Sequence, residues 1–400
     1  MMETAIIESQ RAGPSEAQCE RFLKLASAII FLIFFQTYTI APLIPWLAKA
    51  FSVSEQTVGL LVPAYTLPYA VAGLVCGALA DRLGRRGLLF ASVAGIPLFS
   101  FLFAFAPNMQ SLLAVRAVSG VCNSGLVVMS LTLVGDVFPV KSRGRATGWI
   151  FGAIAGGSAF GSTVAGILAP IVGWRGLFVL TGGAATLLLL PFINLWPTLY
   201  VPQKPWTSLK HLFAGYLSIL QTGRALRTYA FIFLNGMFHS GAFTWLGVHL
   251  HNRYGLGELG IGLALLGYGV PGFLLGPAIG RIVDRHGRRI ILPWGFAVAA
   301  VAAALFVPNL PLAATVLAVP LLSLGFDMTH PLLAGIIMSL DNRRRGQAIG
   351  LNAFAVFFGF GCGALVFGAL AMYGTATAFL IFAAVQLGLA VVAGFVFRKE

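Results

Sequence analysis

Acidic side chains are scarce: Asp and Glu together number 12 in 400 residues, against 26 Lys and Arg. Charge of either sign makes up only 10% of the chain, where a soluble domain carries about 25%. With 58% of residues hydrophobic, a water-soluble fold is excluded, because it could not hide that much apolar surface; lipid is the solvent this composition fits. Cysteine is rare as well. Cys19, Cys76, Cys122 and Cys362 form no Cys-x-x-Cys pair and three sit in apolar segments, which excludes a disulfide framework and a zinc site. No Gly-x-x-x-x-Gly-Lys-Ser/Thr cradle and no His-Glu-x-x-His occurs, so ATP drive and that metalloprotease chemistry drop out. The loops are too short for a catalytic domain. The expectation is no enzyme, no cofactor and no metal.

Long apolar runs are what the chain has instead. A spanning helix takes about 20 apolar residues, and twelve such runs occur: 25–48, 57–80, 87–106, 110–135, 146–172, 176–199, 228–250, 259–283, 289–308, 311–338, 348–371 and 374–397. A membrane β-barrel would show alternating segments about half as long. The predicted fold is therefore an all-α integral membrane protein of twelve transmembrane helices. The longest connection, 200–227, holds Pro202 and Pro205 and divides the helices six and six. The predicted division is a tail over 1–24, a six-helix bundle over 25–199, a linker over 200–227, a second six-helix bundle over 228–397 and a short end over 398–400.

The basic residues are not spread evenly. With the N-terminus inside, 22 of the 26 Lys and Arg fall in the inner segments and only Lys49, Arg175 and Arg253 fall outside. Arg116 remains, within the fourth run. The positive-inside rule then puts both termini in the cytoplasm of an inner (plasma) membrane. It also accounts for the +14 net charge without nucleic acid as a partner.

The two halves repeat. At an offset of 203, Gly59, Tyr65, Gly77, Asp81, Arg82, Gly84 and Arg85 fall on Gly262, Tyr268, Gly280, Asp284, Arg285, Gly287 and Arg288. At 202, Arg143, Gly148, Gly157, Gly161 and Gly166 fall on Arg345, Gly350, Gly359, Gly363 and Gly368. Both copies lie on the inner side, so the bundles are parallel repeats about an axis along the membrane normal. This makes the bundles pseudo-symmetric.

The loop Gly77-Ala78-Leu79-Ala80-Asp81-Arg82-Leu83-Gly84-Arg85-Arg86, echoed after the eighth run, resembles the signature of the major facilitator superfamily. The resemblance covers nearly the whole chain. It implies that superfamily's fold, with a central cavity opening to each side in turn and a small-molecule substrate. An Asp at a helix end can accept from a neighbouring helix N-terminus, so Asp81 and Asp284, with Gly77, Arg82, Arg85, Arg285 and Arg288, read as a latch that forms in one state and breaks in the other. Asp136, Arg143 and Arg345 are assigned to the same gate. Arg116-Ala117-Val118-Ser119-Gly120 looks like the superfamily's second motif, in which the arginine is tied to proton coupling. The spacing of Gly148, Gly157, Gly161-Ser162 and Gly166 is similar to the antiporter motif of the twelve-helix drug:proton antiporters. It departs from that motif at Ser162, which replaces proline, and at Ala165, which replaces glycine.

Asp327 is the mid-membrane acid, and His330 shares its helix face. A carboxylate there is a functional-site candidate by default, and an imidazole titrates near physiological pH. His239, with Asn235 and Trp245 nearby, is a further candidate for the same cavity. Together these residues predict a secondary transporter, coupled to protons and working as a monomer in the bilayer. Efflux of small apolar or cationic compounds fits best. Transport of a sugar or another metabolite, and a non-transporting sensor, stay open as alternatives.

Overall fold

A computed structural model of the chain describes residues 15–83, 85–195, 208–340 and 344–398. Among the described residues there are fourteen helices and no strand. The first half holds α1 (Glu16–Tyr38), α2 (Ile40–Phe51), α3 (Glu55–Gly59), α4 (Leu61–Leu83), α5 (Arg85–Ala104), α6 (Met109–Val137) and α7 (Val140–Leu195). Helix α8 (Leu209–Leu220) follows. The second half holds α9 (Gly223–Tyr254), α10 (Glu258–His286), α11 (Arg288–Ala304), α12 (Leu312–Met338), α13 (Arg345–Ala371) and α14 (Thr375–Val396).

The expected spans fall on helix over most of their described length, apart from the breaks at Thr39 and Leu60 and short ends such as 305–308. By length and composition, seven of these helices can cross a membrane, or eight if the pair α1 and α2, bent by 48°, counts as one. Helix α7 is continuous in hydrogen bonding but turns at Gly173, whose φ of 73° and ψ of 161° belong to glycine. It is thus two segments, as the apolar runs predict. The first helix starts earlier than its apolar run, because Ser15 and Gln18 form a capping box ahead of it. The linker, expected only as a connection, contains α8, whose Ser208 caps its first turn.

The repeat seen in the sequence is also a repeat of contacts. A Cβ on Gly157 would strike the Phe31 carbonyl and Phe34 and Phe35 on α1. The equivalent Gly359, 202 residues on, would strike Phe233 and Met237 on α9 in the same register. Gly161 against Phe35 and Gly363 against Met237 repeat the pattern. Without a hydrophobic drive between helices in lipid, small residues that allow backbone contact are what hold such pairs together.

The halves meet along two seams. The first segment of α7 lies on α10, and α4 lies on α13; the repeat exchanges one seam for the other. At the end away from the termini, Gly166 touches Gly262 directly, backbone on backbone. The equivalent pair, Gly368 and Gly59, is held apart by the indole of Trp245, which fills the space both glycines leave. Its Nε1 donates to the Ala364 carbonyl at 2.9 Å. Helix α9 is buried on every side from Phe238 to Leu250, so this far end is closed. At the terminal end, α8 joins the halves: Tyr216 donates to the Leu74 carbonyl of α4 at 2.8 Å, and Arg344, just before α13, bonds Ser218.

Candidate functional site

Two polar clusters sit inside the bundle, each built around a tyrosine of the repeat. In the first half, Gly120 has no Cβ to strike the Tyr65 carbonyl, so α6 lies close on α4. That contact places Arg116, one turn earlier, beside the Tyr65 ring at 5.5 Å and the Phe103 ring at 5.1 Å. Arg116 is only 5% exposed. Its Nη2 donates to the Gln36 carbonyl at 3.2 Å, while Nε has no hydrogen-bond partner. Asn123 donates to the Tyr65 hydroxyl at 3.4 Å. These residues line a small pocket together with Thr37, Ser100 and Ser119. Arg116 could have reached the membrane surface along its helix, and the structure buries it instead.

In the second half, His239 is the hub. The Tyr268 hydroxyl of α10 lies 3.0 Å from the His239 Nδ1 and donates to the His239 carbonyl oxygen at 3.1 Å. Tyr38 of α1 lies 3.1 Å from Nε2. A hydroxyl that gives its hydrogen to the carbonyl must accept at its oxygen, so the network assigns the proton to Nδ1 and leaves Nε2 to accept from Tyr38. This bond crosses between the halves. Phe326 stacks between two imidazoles, its centroid 4.0 Å from His239 and 5.0 Å from His330. Nδ1 of His330 has no hydrogen-bond partner. Asp327 is half-buried next to Phe326 on α12, one turn before His330.

Asp327, His330 and His239 are therefore brought together, and Arg116 stands apart in its own pocket. Trp245, expected near His239, belongs to the far-end seam, and Asn235 donates to Thr329 at 2.8 Å. His249 is buried between Phe306 and Phe379 and bonds Thr375 at 2.8 Å. Sequence reasoning did not assign Tyr268 to the site. The signal was there for Tyr268, which is the repeat partner of Tyr65.

The residues expected to form the gate lie at the terminal end. The side chains of Asp81, Arg85, Asp284 and Arg345 lie outside the described residues. Arg82, Arg285 and Asp136 are exposed, and Gly77 has open space beside it. Arg143 donates to the Phe138 carbonyl at 2.9 Å, closing the end of α6. Arg288 lies against Gly335 of α12. Arg145 pairs with Glu20, joining the starts of α7 and α1, and that hydrogen bond, with the attraction of Glu20, raises the Arg145 pKa. Of the antiporter-like positions, Gly157, Gly161 and Gly166 make close backbone contacts, Ser162 is buried, and Gly148 faces open space.

The chain is 27% identical over 348 residues to the uncharacterized MFS-type transporter YceJ of Bacillus subtilis, covering 86% of this chain and 87% of that one. It is 25% identical over 344 residues to the quinolone resistance protein NorA of Staphylococcus aureus, covering 85% and 87%. A shorter match to the multidrug efflux pump LfrA of Mycolicibacterium smegmatis is 34% identical over 175 residues, 44% of this chain and 34% of that one. Among solved structures, a bacterial homolog of the human lysosomal transporter Spinster, inward-facing and unoccupied, superposes with a TM-score of 0.76 at 18% identity, over 96% of this chain and 98% of that one. The sequence model of the Major Facilitator Superfamily matches residues 26–272 and 254–400. With that match over nearly its whole length and with the same fold, the chain belongs to the Major Facilitator Superfamily of membrane transporters and resembles its drug:proton antiporters.

Proposed function

We propose that this transporter exports small apolar or cationic compounds, drugs among them, in exchange for protons, by alternating access. The observation that carries the proposal is the bond from Tyr38 to His239, because it links a titratable group of one half to a hydroxyl of the other. A proton added at Nε2 turns an acceptor into a donor. Tyr38 must then turn its hydrogen away, and Ser158 of α7 is within its reach. Ser158 gives its own hydrogen to the Ile154 carbonyl at 2.9 Å, so its oxygen is free to accept. Loading the second half with a proton thus rearranges contacts within the first. Asp327 and His330 supply the neighbouring sites, and the Asp327 carboxylate also suits a cationic substrate. The kinship with NorA and LfrA supports efflux as the direction.

In this reading the far end, closed at Gly166–Gly262 and at Trp245, is the outer side. The terminal end faces the cytoplasm, with residues 25–199 and 228–397 as the two moving bundles, 200–227 as their cytoplasmic linker, and a single chain as the working unit in a bacterial inner membrane. The gate at the terminal end comprises Gly77, Asp81, Arg82, Arg85, Asp136, Arg143, Asp284, Arg285, Arg288 and Arg345. Arg116 belongs to the coupling machinery, as its motif implies.

The test is a vesicle assay with the purified protein and an imposed proton gradient, acid inside. Adding a cationic dye or a drug from a panel should discharge the gradient, and adding sugars should not. Discharge by sugars alone would overturn the proposal.

A further inference from the structure

The membrane interior makes a lone cation costly, and the Arg116 pocket holds one without an acid. Among the described residues lining it, none is Asp or Glu. The guanidinium is partnered by a backbone carbonyl and two aromatic faces. Those contacts orient the fork, yet a full negative charge is what a buried arginine lacks. Its Nε, pointing to no acceptor, leaves donor capacity unused. Around it the pocket presents the hydroxyls of Thr37 and Tyr65, with the apolar side chains of Ile33 and Phe99 completing the wall. The Tyr65 oxygen accepts from Asn123 and its hydroxyl also bonds Thr37, whose own hydrogen goes to the Ile33 carbonyl, so these hydroxyls are held in place beside the guanidinium.

We infer that this pocket is a subsite for a carboxylate carried by the transported compound. An arginine fork and a carboxylate match in shape as well as charge, which an ammonium in the same place would not. The inference rests on the transporter reading above and narrows it. Asp327, on the other half, receives a cationic group, so the favoured substrates carry both charges, spaced to reach across the two bundles. The two halves would then each hold one end of the same molecule, and substrates with an acid and an amine would be preferred over simple cations.

The experiment compares a quinolone carboxylic acid that also carries an amine with its ethyl ester, in which the anion is replaced by a neutral group. Binding to the full-length protein in nanodiscs of neutral lipid is measured for wild type, Arg116→Gln and Arg116→Lys, each first shown to be monodisperse. Wild type should bind the acid about tenfold to a hundredfold more tightly than the ester, as a charge-assisted fork would give. Arg116→Gln should remove that ratio. Arg116→Lys should keep part of it, since charge stays while the fork is lost. Equal binding of acid and ester to wild type would overturn the inference, as would a preference for the acid that survives in Arg116→Gln. The ratio is read without a proton gradient. A failure of proton coupling would therefore leave the ratio intact, and a loss of the ratio would leave gradient discharge by cationic dyes to be judged separately.

Discussion

Tyr65 and Tyr268 stand at equivalent places in the two halves, and the polar groups gathered around them differ in kind. Around Tyr65 are Thr37, Asn123 and the guanidinium of Arg116. Around Tyr268 are His239 and, at longer range, Asp327. At the offset of 202, Thr37 falls on His239 and Gly125 falls on Asp327. The packing of α7 on α1 and of α13 on α9 is shared, down to which carbonyl faces which glycine. The chemistry is not. A duplicated scaffold has thus been given a fixed positive charge on one side and titratable groups on the other. Part of the difference is steric: a Cβ at Gly125 would lie 2.8 Å from the Cys76 sulfur and 3.2 Å from the Ser92 hydroxyl, so the first half has no room for a carboxylate where the second half carries one.

The comparison can be broken most severely by forcing it. Gly125→Asp puts the acid of the second half into the first, where it meets Cys76 and Ser92. Overpacking and an unpaired buried charge together should cost roughly 4–5 kcal/mol, read as loss of monodisperse protein on extraction; recovery of a normally folded transporter would remove the steric account. Next in size, Asp327→Asn should lower proton-driven transport about 100-fold, or roughly 2.7 kcal/mol in the barrier, with insertion unchanged. An unaltered rate and pH profile would assign coupling elsewhere. The shared scaffold is tested by a matched pair: Gly157→Val and Gly359→Val should each cost about 1–3 kcal/mol and lower the melting temperature equally. Unequal losses would mean that the register is common but the energetics are not. The smallest effect should come from Tyr38→Phe, which removes one hydrogen bond to His239, worth about 1 kcal/mol, and should slow exchange about fivefold. A variant with full activity would make that bond structural.

Much of this was legible in the sequence because it is periodic or repeated. Apolar runs of spanning length, the clustering of arginines and the two offsets locate the helices and relate Tyr65 to Tyr268 before any coordinates. Contacts between side chains far apart in the chain were not legible. Tyr38 lies 201 residues from His239, and nothing local to either marks the other as its partner. Trp245 reads as one more apolar aromatic in an apolar run, and only the packing of three helices shows that it fills a gap between two glycines. The α8 helix was hidden for a different reason. It is short, lies in a connection rich in proline and basic residues, and takes its stability from tertiary packing against α4 and α13 rather than from its own length.

Trp245 also bears on what a fused pair of halves permits. In a dimer of two identical chains, any residue placed in one seam appears in the other, so both contacts must suit the same side chain. Here the position equivalent to Trp245 is Leu43, buried in the first half, and the opposite seam closes with two glycines touching. One chain carrying two copies is free to make one seam unforgiving and the other cushioned. The glycine seam admits no added atom, whereas the opposite seam is filled by one large side chain held by packing and a single hydrogen bond, so the two seams differ in what a substitution at each would cost.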